Sequence, residues 1–309
     1  MFNFNIKKLN ILKNKDLFYA NLRNTSLIGT FFALWLAVFF EDSIENIFAY
    51  LLILTFGIVH GANDLKLIQG IGIFKKINFL KILSYYIAFI LLSSAFFYFI
   101  PAIALGLFVL FSGYHFGEQH WMSKTKGNSA TRSIFYLSYG LFVLFLLFFL
   151  HEAVVTTVIL AITNMVLPLN FNLIGIFFSG IALMITYTVL NYKSFNFTFI
   201  LKELFLLFVF FIVFNTASLL WSFAIYFILW HSLPSLVDQI IFLYGSCTKN
   251  NVMAYFKSSF AYWIVAVIGL FISLFFFKDN FEESLALFFS LLAAITFPHV
   301  LVINRLNKT

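Results

Sequence analysis

Residues 44–65 decide the fold: they read IENIFAYLLILTFGIVHGANDL, a mostly apolar run that carries a histidine and an aspartate near its end. A helix needs about 20 mostly apolar residues to cross the hydrocarbon core of a bilayer. The whole chain has this character, since 62% of its 309 residues are hydrophobic and 10% are charged, whereas a soluble domain carries about 25% charged residues. The composition excludes a soluble enzyme, a disordered protein and a fibrous protein. It predicts an all-α, polytopic transmembrane helical bundle.

Ten segments have the length and apolar character of membrane spans. They are residues 24–40, 44–65, 82–100, 102–120, 133–150, 172–190, 197–215, 217–233, 259–277 and 283–303. The apolar stretch 151–168 lies between two of these spans, and we interpret it as a re-entrant or surface helix. Neither a repeat nor an extramembrane domain is evident, so residues 1–309 are predicted to form a single integral membrane domain.

The basic residues give the orientation of the chain. Most of the 19 Lys and Arg fall on one side of the bilayer if the N-terminus is inside, and the outside loops are mainly acidic. The positive-inside rule then predicts that both termini are cytoplasmic, with residues 1–23 forming a basic tail and no cleavable signal peptide. Eight spans satisfy the same charge pattern if one pair is re-entrant. The net charge of +7 indicates contact with anionic lipid head groups and not with nucleic acid.

Four of the six histidines lie inside predicted spans, at a similar depth. His60, His115, His231 and His299 fall on the second, fourth, eighth and tenth spans, which all run from outside to inside. Each histidine lies in the inner half of the bilayer, so the four rings can converge if these helices pack together. Four neutral imidazoles at one point suit an ion of the Fe(II), Cu or Zn type. A cysteine-based metal site and an intramolecular disulfide are excluded because Cys247 is the single cysteine.

The other two histidines are weaker candidates for metal ligands. His151 lies beside Glu152 at the outer end of a span, where we expect it to be solvated. His120 lies at the inner end of the fourth span, where it is either interfacial or reaches back towards His115. The two are five residues apart and so do not share a helix face.

Two carboxylates are candidates to support the histidines. Asp64 follows His60 by four residues, so in a helix it lies on the same face. It either accepts a hydrogen bond from a histidine, as carboxylates do at metal sites, or pairs with Lys66. Glu118 follows His115 by three residues, and the same alternatives apply. For Asp238, we expect a structural role.

Four short motifs carry a resemblance to a known family. They are HGAND at residues 60–64, YHFGE at 114–118, WHS at 230–232 and PH at 298–299. Their order and spread resemble those of the Brp/Blh family of bacterial membrane β-carotene 15,15′-dioxygenases, and they extend over nearly the whole chain. Each motif alone is weak, but four in order on membrane helices form a specific signal.

The resemblance implies an iron-dependent enzyme of the bacterial inner membrane. Such an enzyme cleaves the central double bond of β-carotene with O₂ and yields two retinals, often for a microbial rhodopsin. It implies that His60, His115, His231 and His299 are the catalytic Fe(II) ligands, supported by acidic residues at the positions of Asp64 and Glu118.

Aromatic side chains near the motifs are candidates to line a polyene channel. They are Tyr114, Phe116, Trp230 and Phe297, together with Trp121 and, on the third predicted span, Tyr85. Two positions depart from the family pattern as we understand it. Ser235 stands where many members have a second histidine after WHS, and Gln119-His120 follows HFGE, where a small or acidic residue is more usual. His120 is therefore an alternative source of a ligand.

Two other classes of function compete with this interpretation. One is a haem-binding electron-transfer protein with pairs of histidine ligands. The other is a metal-ion transporter, although such proteins usually carry carboxylates in mid-span and show internal repeats.

Overall fold

The structure, a computed structural model, describes residues 2–72, 74, 76–192, 196–276 and 281–306, and over these ranges it is helical without strands. The helices are α1 Phe2–Phe39, α2 Asp42–Leu52, α3 Ile58–Gly61, α4 Asp64–Gly70, α5 Phe79–Phe99, α6 Pro101–Trp121, α7 Ser129–Leu150, α8 Glu152–Thr163, α9 Phe171–Asn191, α10 Phe197–Thr216, α11 Leu219–Tyr226, α12 Leu233–Tyr244, α13 Lys249–Phe276 and α14 Phe281–Leu306. Two π-helical segments join them: π1 Ile53–Gly57 and π2 Phe227–Ser232. The predicted all-α bundle is confirmed.

Among the described residues, nine helical runs are long and apolar enough to cross a membrane. Nine of the ten predicted spans correspond to them. The remaining predicted span, 102–120, corresponds to helix α6, which has 21 residues but is polar over its second half. The stretch 151–168 contains the 12-residue helix α8, which is only about 18 Å long at 1.5 Å per residue. It is therefore too short to span the bilayer core.

The basic segment 1–23 is not separate from the first span. Helix α1 runs without a break from Phe2 to Phe39, whereas residue 1 lies outside the described residues. The cytoplasmic location of both termini remains a prediction.

Two spans are interrupted by π-helical segments. The run from Asp42 to Gly70 consists of α2, π1, α3, a turn at residues 62–63 and α4. The run from Leu219 to Tyr244 consists of α11, π2 and α12, and it is the most buried of the nine. A π-helical turn accommodates an extra residue, so side chains beyond it are rotated relative to a regular helix.

A buried glutamate ties these two interrupted spans together. Glu45 on α2 is 2% exposed. Its carboxylate accepts a hydrogen bond of 2.6 Å from the backbone amide of Ser218, the residue that caps the N-terminus of α11. A helix N-terminus favours a negative charge, so this contact stabilises the pairing of α2 with α11.

Glycine permits close packing between α6 and α7. A Cβ atom on Gly117 would collide with the backbone carbonyl of Tyr136, and one on Gly140 would collide with the carbonyl of Gly113. The two backbones therefore touch, as small residues allow in membrane bundles. This contact fixes the position of α6, which carries His115.

Candidate metal centre

Four buried imidazole rings form a closed cluster where π2, α3, α6 and α14 meet. The distances between ring centroids are 5.3 Å for His60–His231, 4.6 Å for His231–His115, 5.4 Å for His115–His299 and 4.6 Å for His299–His60. Each side chain is at most 5% exposed. The structure therefore brings together all four histidines that the sequence places at one depth.

Several ring nitrogens in the cluster have no hydrogen-bond partner. They are Nε2 of His60, both nitrogens of His115, Nδ1 of His231 and Nε2 of His299. One nitrogen from each of His60, His115 and His231 can be chosen so that all lie within 4.8 Å of one another. Nitrogens bound to one ion at about 2.1 Å lie at most about 4.2 Å apart. The separation within this group of three is close to that spacing, and His299 is not part of the group.

The π-helical segments place two of the four rings. His231 lies within π2, and π1 ends three residues before His60. The carbonyl of Gly57, the last residue of π1, is hydrogen-bonded to Nδ1 of His60. This bond leaves Nε2 of His60 free to face the other rings. π-helical turns are rare and occur frequently at functional sites.

Asp64 orients the fourth ring. Its carboxylate oxygens lie 2.9 and 3.1 Å from Nδ1 of His299, which donates to them. The same carboxylate accepts a 2.7 Å hydrogen bond from the hydroxyl of Tyr86 on α5. With Nδ1 protonated, the unpartnered Nε2 of His299 has a lone pair for a metal. The alternative partner of Asp64, Lys66, instead donates to the hydroxyl of Tyr244.

A second hydrogen-bonded network contacts the backbone of His60. The hydroxyl of Tyr255 donates to the side chain of Gln239 at 2.6 Å and lies 3.3 Å from the backbone oxygen of His60. Gln239 in turn donates to Ser235, the position where the family pattern often has another histidine. Ser235 is thus part of a hydrogen-bonded layer of α12.

The remaining candidate polar residues have other partners. Glu118 accepts a hydrogen bond of 3.0 Å from the hydroxyl of Tyr114. The ring of His120 bonds Glu203 at 2.8 Å, and Glu203 also accepts a bond of 3.0 Å from Lys124. Burial lowers the pKa of Lys124, and the adjacent Glu203 carboxylate partly offsets this. His120 therefore belongs to an ion cluster at the end of α6.

Two other residues also lie apart from the cluster. His151 stands at the N-terminus of α8 without a side-chain capping bond. It is half-buried with its Nε2 atom inside the protein, so the expectation that it is solvated is wrong. Asp238 accepts hydrogen bonds from Tyr19 and Gln119, which agrees with the structural role expected for it.

The aromatic candidates differ in their relation to the rings. Phe116 lies 4.7 Å from the ring of His231. Trp230 donates to Thr30 on α1, and Phe297 packs against other phenylalanines of α5 and α6. Among the aromatics not singled out from sequence, Phe227 stacks on His231 at 5.6 Å with its ring 15° from parallel.

The other two aromatic candidates, Trp121 and Tyr85, differ in their surroundings. Trp121 is buried among the aromatic side chains of α7, and Tyr85 is 72% exposed.

A cleft of about 540 Å³ adjoins the cluster on the side of His60 and His299. Gly61, Asp64 and Tyr86 form its inner wall, and its lining continues along α5, α13 and α14. Ile87 and Val265 line it as well and are 47% and 70% exposed. The cleft therefore opens on the apolar outer surface of the bundle.

The donor set fits a metal of the first transition series. Four buried imidazoles with unpartnered nitrogens are borderline ligands that suit iron, copper or zinc. A buried carboxylate bonded to one ring is the usual support of such a site. Tyr86 and the two π-helical segments are not predicted from the sequence, because no local motif indicates them.

A family model described as beta-carotene 15,15′-dioxygenase matches residues 51–307 of the chain. All four clustered histidines lie within the matched region. No curated protein and no solved structure matches the chain.

Proposed function

We propose that this chain, which belongs to the β-carotene 15,15′-dioxygenase family, uses iron and O₂ to cleave the central double bond of β-carotene into two retinals. One O₂ per polyene supplies the oxygen atoms of both aldehydes, so the reaction balances without another reductant. The family membership supports a carotene dioxygenase embedded in a membrane. Iron, its ligands and the use of O₂ are the parts that we add.

The observation that carries the proposal is the closed cluster of four buried imidazoles beside a cleft that opens towards lipid. His60, His115, His231 and His299 are the residues that would hold the ion. Bound there, Fe(II) would bind and activate O₂. Because neutral imidazoles are borderline ligands that suit iron, this ligand set matches that role.

The protein's own residues orient the ligands and exclude water. Asp64 holds the Nδ1 proton of His299, and the Gly57 carbonyl holds that of His60. Phe116 and Phe227 cover the ring of His231 with apolar surface. A water-poor site of this kind protects a reactive oxygen species from side reactions.

The cleft gives a hydrocarbon substrate a route that avoids water. β-Carotene dissolves in the bilayer core, and Ile87 and Val265 expose the cleft to that region. Its walls consist almost entirely of apolar side chains, with Ser94, Tyr86, Tyr262 and Asp64 as the polar exceptions among the lining residues. The polyene can therefore approach the cluster sideways through the membrane.

The geometry favours this function over the two alternatives. A haem requires space for a flat macrocycle between two imidazoles, whereas each ring here lies 4.6–5.4 Å from two others. A transporter needs a polar path for its ion. Asp64, the carboxylate at the cluster, is instead bonded to His299 and Tyr86.

Expression in bacteria that produce β-carotene tests the proposal. We expect loss of the orange colour with appearance of retinal, and iron in the protein purified from these cells. His60→Ala, His115→Ala, His231→Ala and His299→Ala should each abolish activity or iron binding. His151→Ala is the matched control, because this histidine lies outside the cluster, and it should keep both. Persistent colour with a folded, iron-loaded protein would refute the substrate assignment.

The same proposal includes the setting of the reaction. We place the enzyme in the bacterial inner membrane and infer that its retinal passes to a microbial rhodopsin. Co-expression with an opsin lacking its chromophore would show this as a visible absorption band that depends on the intact cluster.

A further inference from the structure

A second, smaller cavity lies on the opposite side of the histidine cluster. It has a volume of about 100 Å³ and shares no lining residue with the large cleft. Its walls come from α6, α7, α8, α11 and α14. Eight of its fifteen lining residues are buried and the other seven are half-buried, so it is a partly covered recess of the bundle.

The cavity lies beside the part of the cluster formed by His115 and His231, although neither histidine is among its lining residues. Ser112 lies one helical turn before His115, and both Ser112 and Phe116 line the cavity. The ring of Phe116 lies 4.7 Å from that of His231. On the other side, Phe223 stacks on Phe227, which stacks on His231. Between the recess and the ring of His231 lie Phe116, which lines the recess, and Phe227, which contacts the lining residue Phe223.

The chemistry of the walls limits what the cavity holds. Among its lining residues, Ser112 alone has a polar side chain, and its buried hydroxyl has no hydrogen-bond partner. Apolar cavities of about 150 Å³ stay dry and bind benzene or xenon. A recess of about 100 Å³ therefore suits a small apolar molecule and is too small for half of a polyene.

We propose that this recess is the O₂ site of the enzyme, separate from the carotenoid cleft. The inference rests on the proposed function, because only a reaction that consumes O₂ requires such a site. O₂ is small, apolar and enriched in the bilayer core, and from the recess it would pass the side chain of Phe116 to reach His115 and His231. The polyene occupies the other face, beside His60 and His299.

Two variants with the same substitution test whether the recess binds O₂ and the cleft binds the carotenoid. Val158 lines the recess and Val265 lines the cleft, so Val158→Phe and Val265→Phe make the same change in each. We expect Val158→Phe to raise KM for O₂ severalfold with KM for β-carotene unchanged. Val265→Phe should do the reverse. Ile159→Phe, at another position of the recess wall, serves if Val158→Phe does not fold.

Xenon provides a readout that does not require activity. In xenon-pressurised crystals of the full chain, we expect a xenon atom bounded by Ser112, Val158 and Phe223. Val158→Phe should remove that atom, whereas Val265→Phe should keep it. Absence of xenon there in the unmodified protein would overturn the proposal, as would a Val158→Phe variant whose KM for β-carotene rises while its O₂ dependence is unchanged. If the protein cleaves no carotenoid, the proposed function fails, while the xenon result still decides whether the recess is a gas site.

Discussion

Replacing Asp64 with asparagine should weaken iron binding without unfolding the protein. Asp64 is 1% exposed and accepts hydrogen bonds from His299 and Tyr86. Asparagine has the same shape, and its amide can bond both neighbours, one through the oxygen and one through the NH₂ group. The loss is therefore one negative charge beside the ring of His299, a proposed iron ligand.

The magnitude follows from the role of the carboxylate. It fixes the orientation of the His299 ring through a hydrogen bond, and loss of such a partner of a metal ligand costs about 10–100-fold in metal affinity or activity. We expect Asp64→Asn to weaken Fe(II) binding by that factor. Tyr86→Phe, which removes one neutral hydrogen bond to the carboxylate, should have a smaller effect in the same direction.

Anaerobic titration of iron-free protein against a competing chelator measures the affinity. Asp238→Asn is the matched control, because Asp238 also accepts bonds from a tyrosine and an amide side chain, and it should bind iron normally. A double-mutant cycle makes the test sharper. If the His299→Ala variant loses activity but still binds Fe(II) measurably, Asp64→Asn in that background should have no further effect on Fe(II) affinity. If Asp64→Asn lowered Fe(II) affinity equally with and without His299, Asp64 would not act through this ring.

Two further predictions concern stability. Glu203→Gln leaves Lys124 without its buried carboxylate partner, which should lower the free energy of unfolding by about 1–3 kcal/mol while iron content stays unchanged; thermal unfolding in detergent measures it, and an unaltered midpoint would contradict it. Gly117→Ala forces apart the touching backbones of α6 and α7, a strain expected to destabilise by at least about 1–3 kcal/mol. Gly106→Ala on the same helix has open space and should stabilise by about 0.5–1 kcal/mol; equal effects of the two would refute the packing argument.

The convergence of the four histidines could be predicted from the sequence because two simple regularities combine. The positive-inside rule gave the direction of each span, and position within a span gave the depth. Depth alone does not say which helices are neighbours. That information lies in long-range contacts such as Glu45 with Ser218, which no local pattern specifies.

The partners of the carboxylates were harder to predict, because helices were assumed to be regular. Asp64 was expected to share a face with His60 on one helix, but a turn at residues 62–63 separates α3 from α4. Asp64 begins α4 and reaches His299 instead. Glu118 was considered with His115, three residues before it, yet it bonds Tyr114, four residues before it on the same face.

The role of the four aromatic residues in binding the substrate remains a prediction, and they differ in whether they line a cavity. Phe116 lines the smaller recess, whereas Tyr114, Trp230 and Phe297 are not among the lining residues of either cavity. An aromatic side chain in a membrane helix packs equally well against lipid, a neighbouring helix or a ligand. Sequence therefore identifies aromatic residues but not the surface that each one faces.

The position of Asp64 gives a physical reason why the cluster requires it. Four neutral imidazoles offer no charge to offset a divalent cation, and an uncompensated cation in a low-dielectric interior is costly. The other buried carboxylates accept bonds from groups elsewhere: Glu45 from Ser218, Glu118 from Tyr114 and Glu203 from Lys124. Asp64, by contrast, accepts a hydrogen bond from His299, a ring of the cluster. If the cluster binds the proposed Fe(II), the charge of Asp64, one hydrogen bond away, would offset the cost of a cation among neutral ligands inside a membrane.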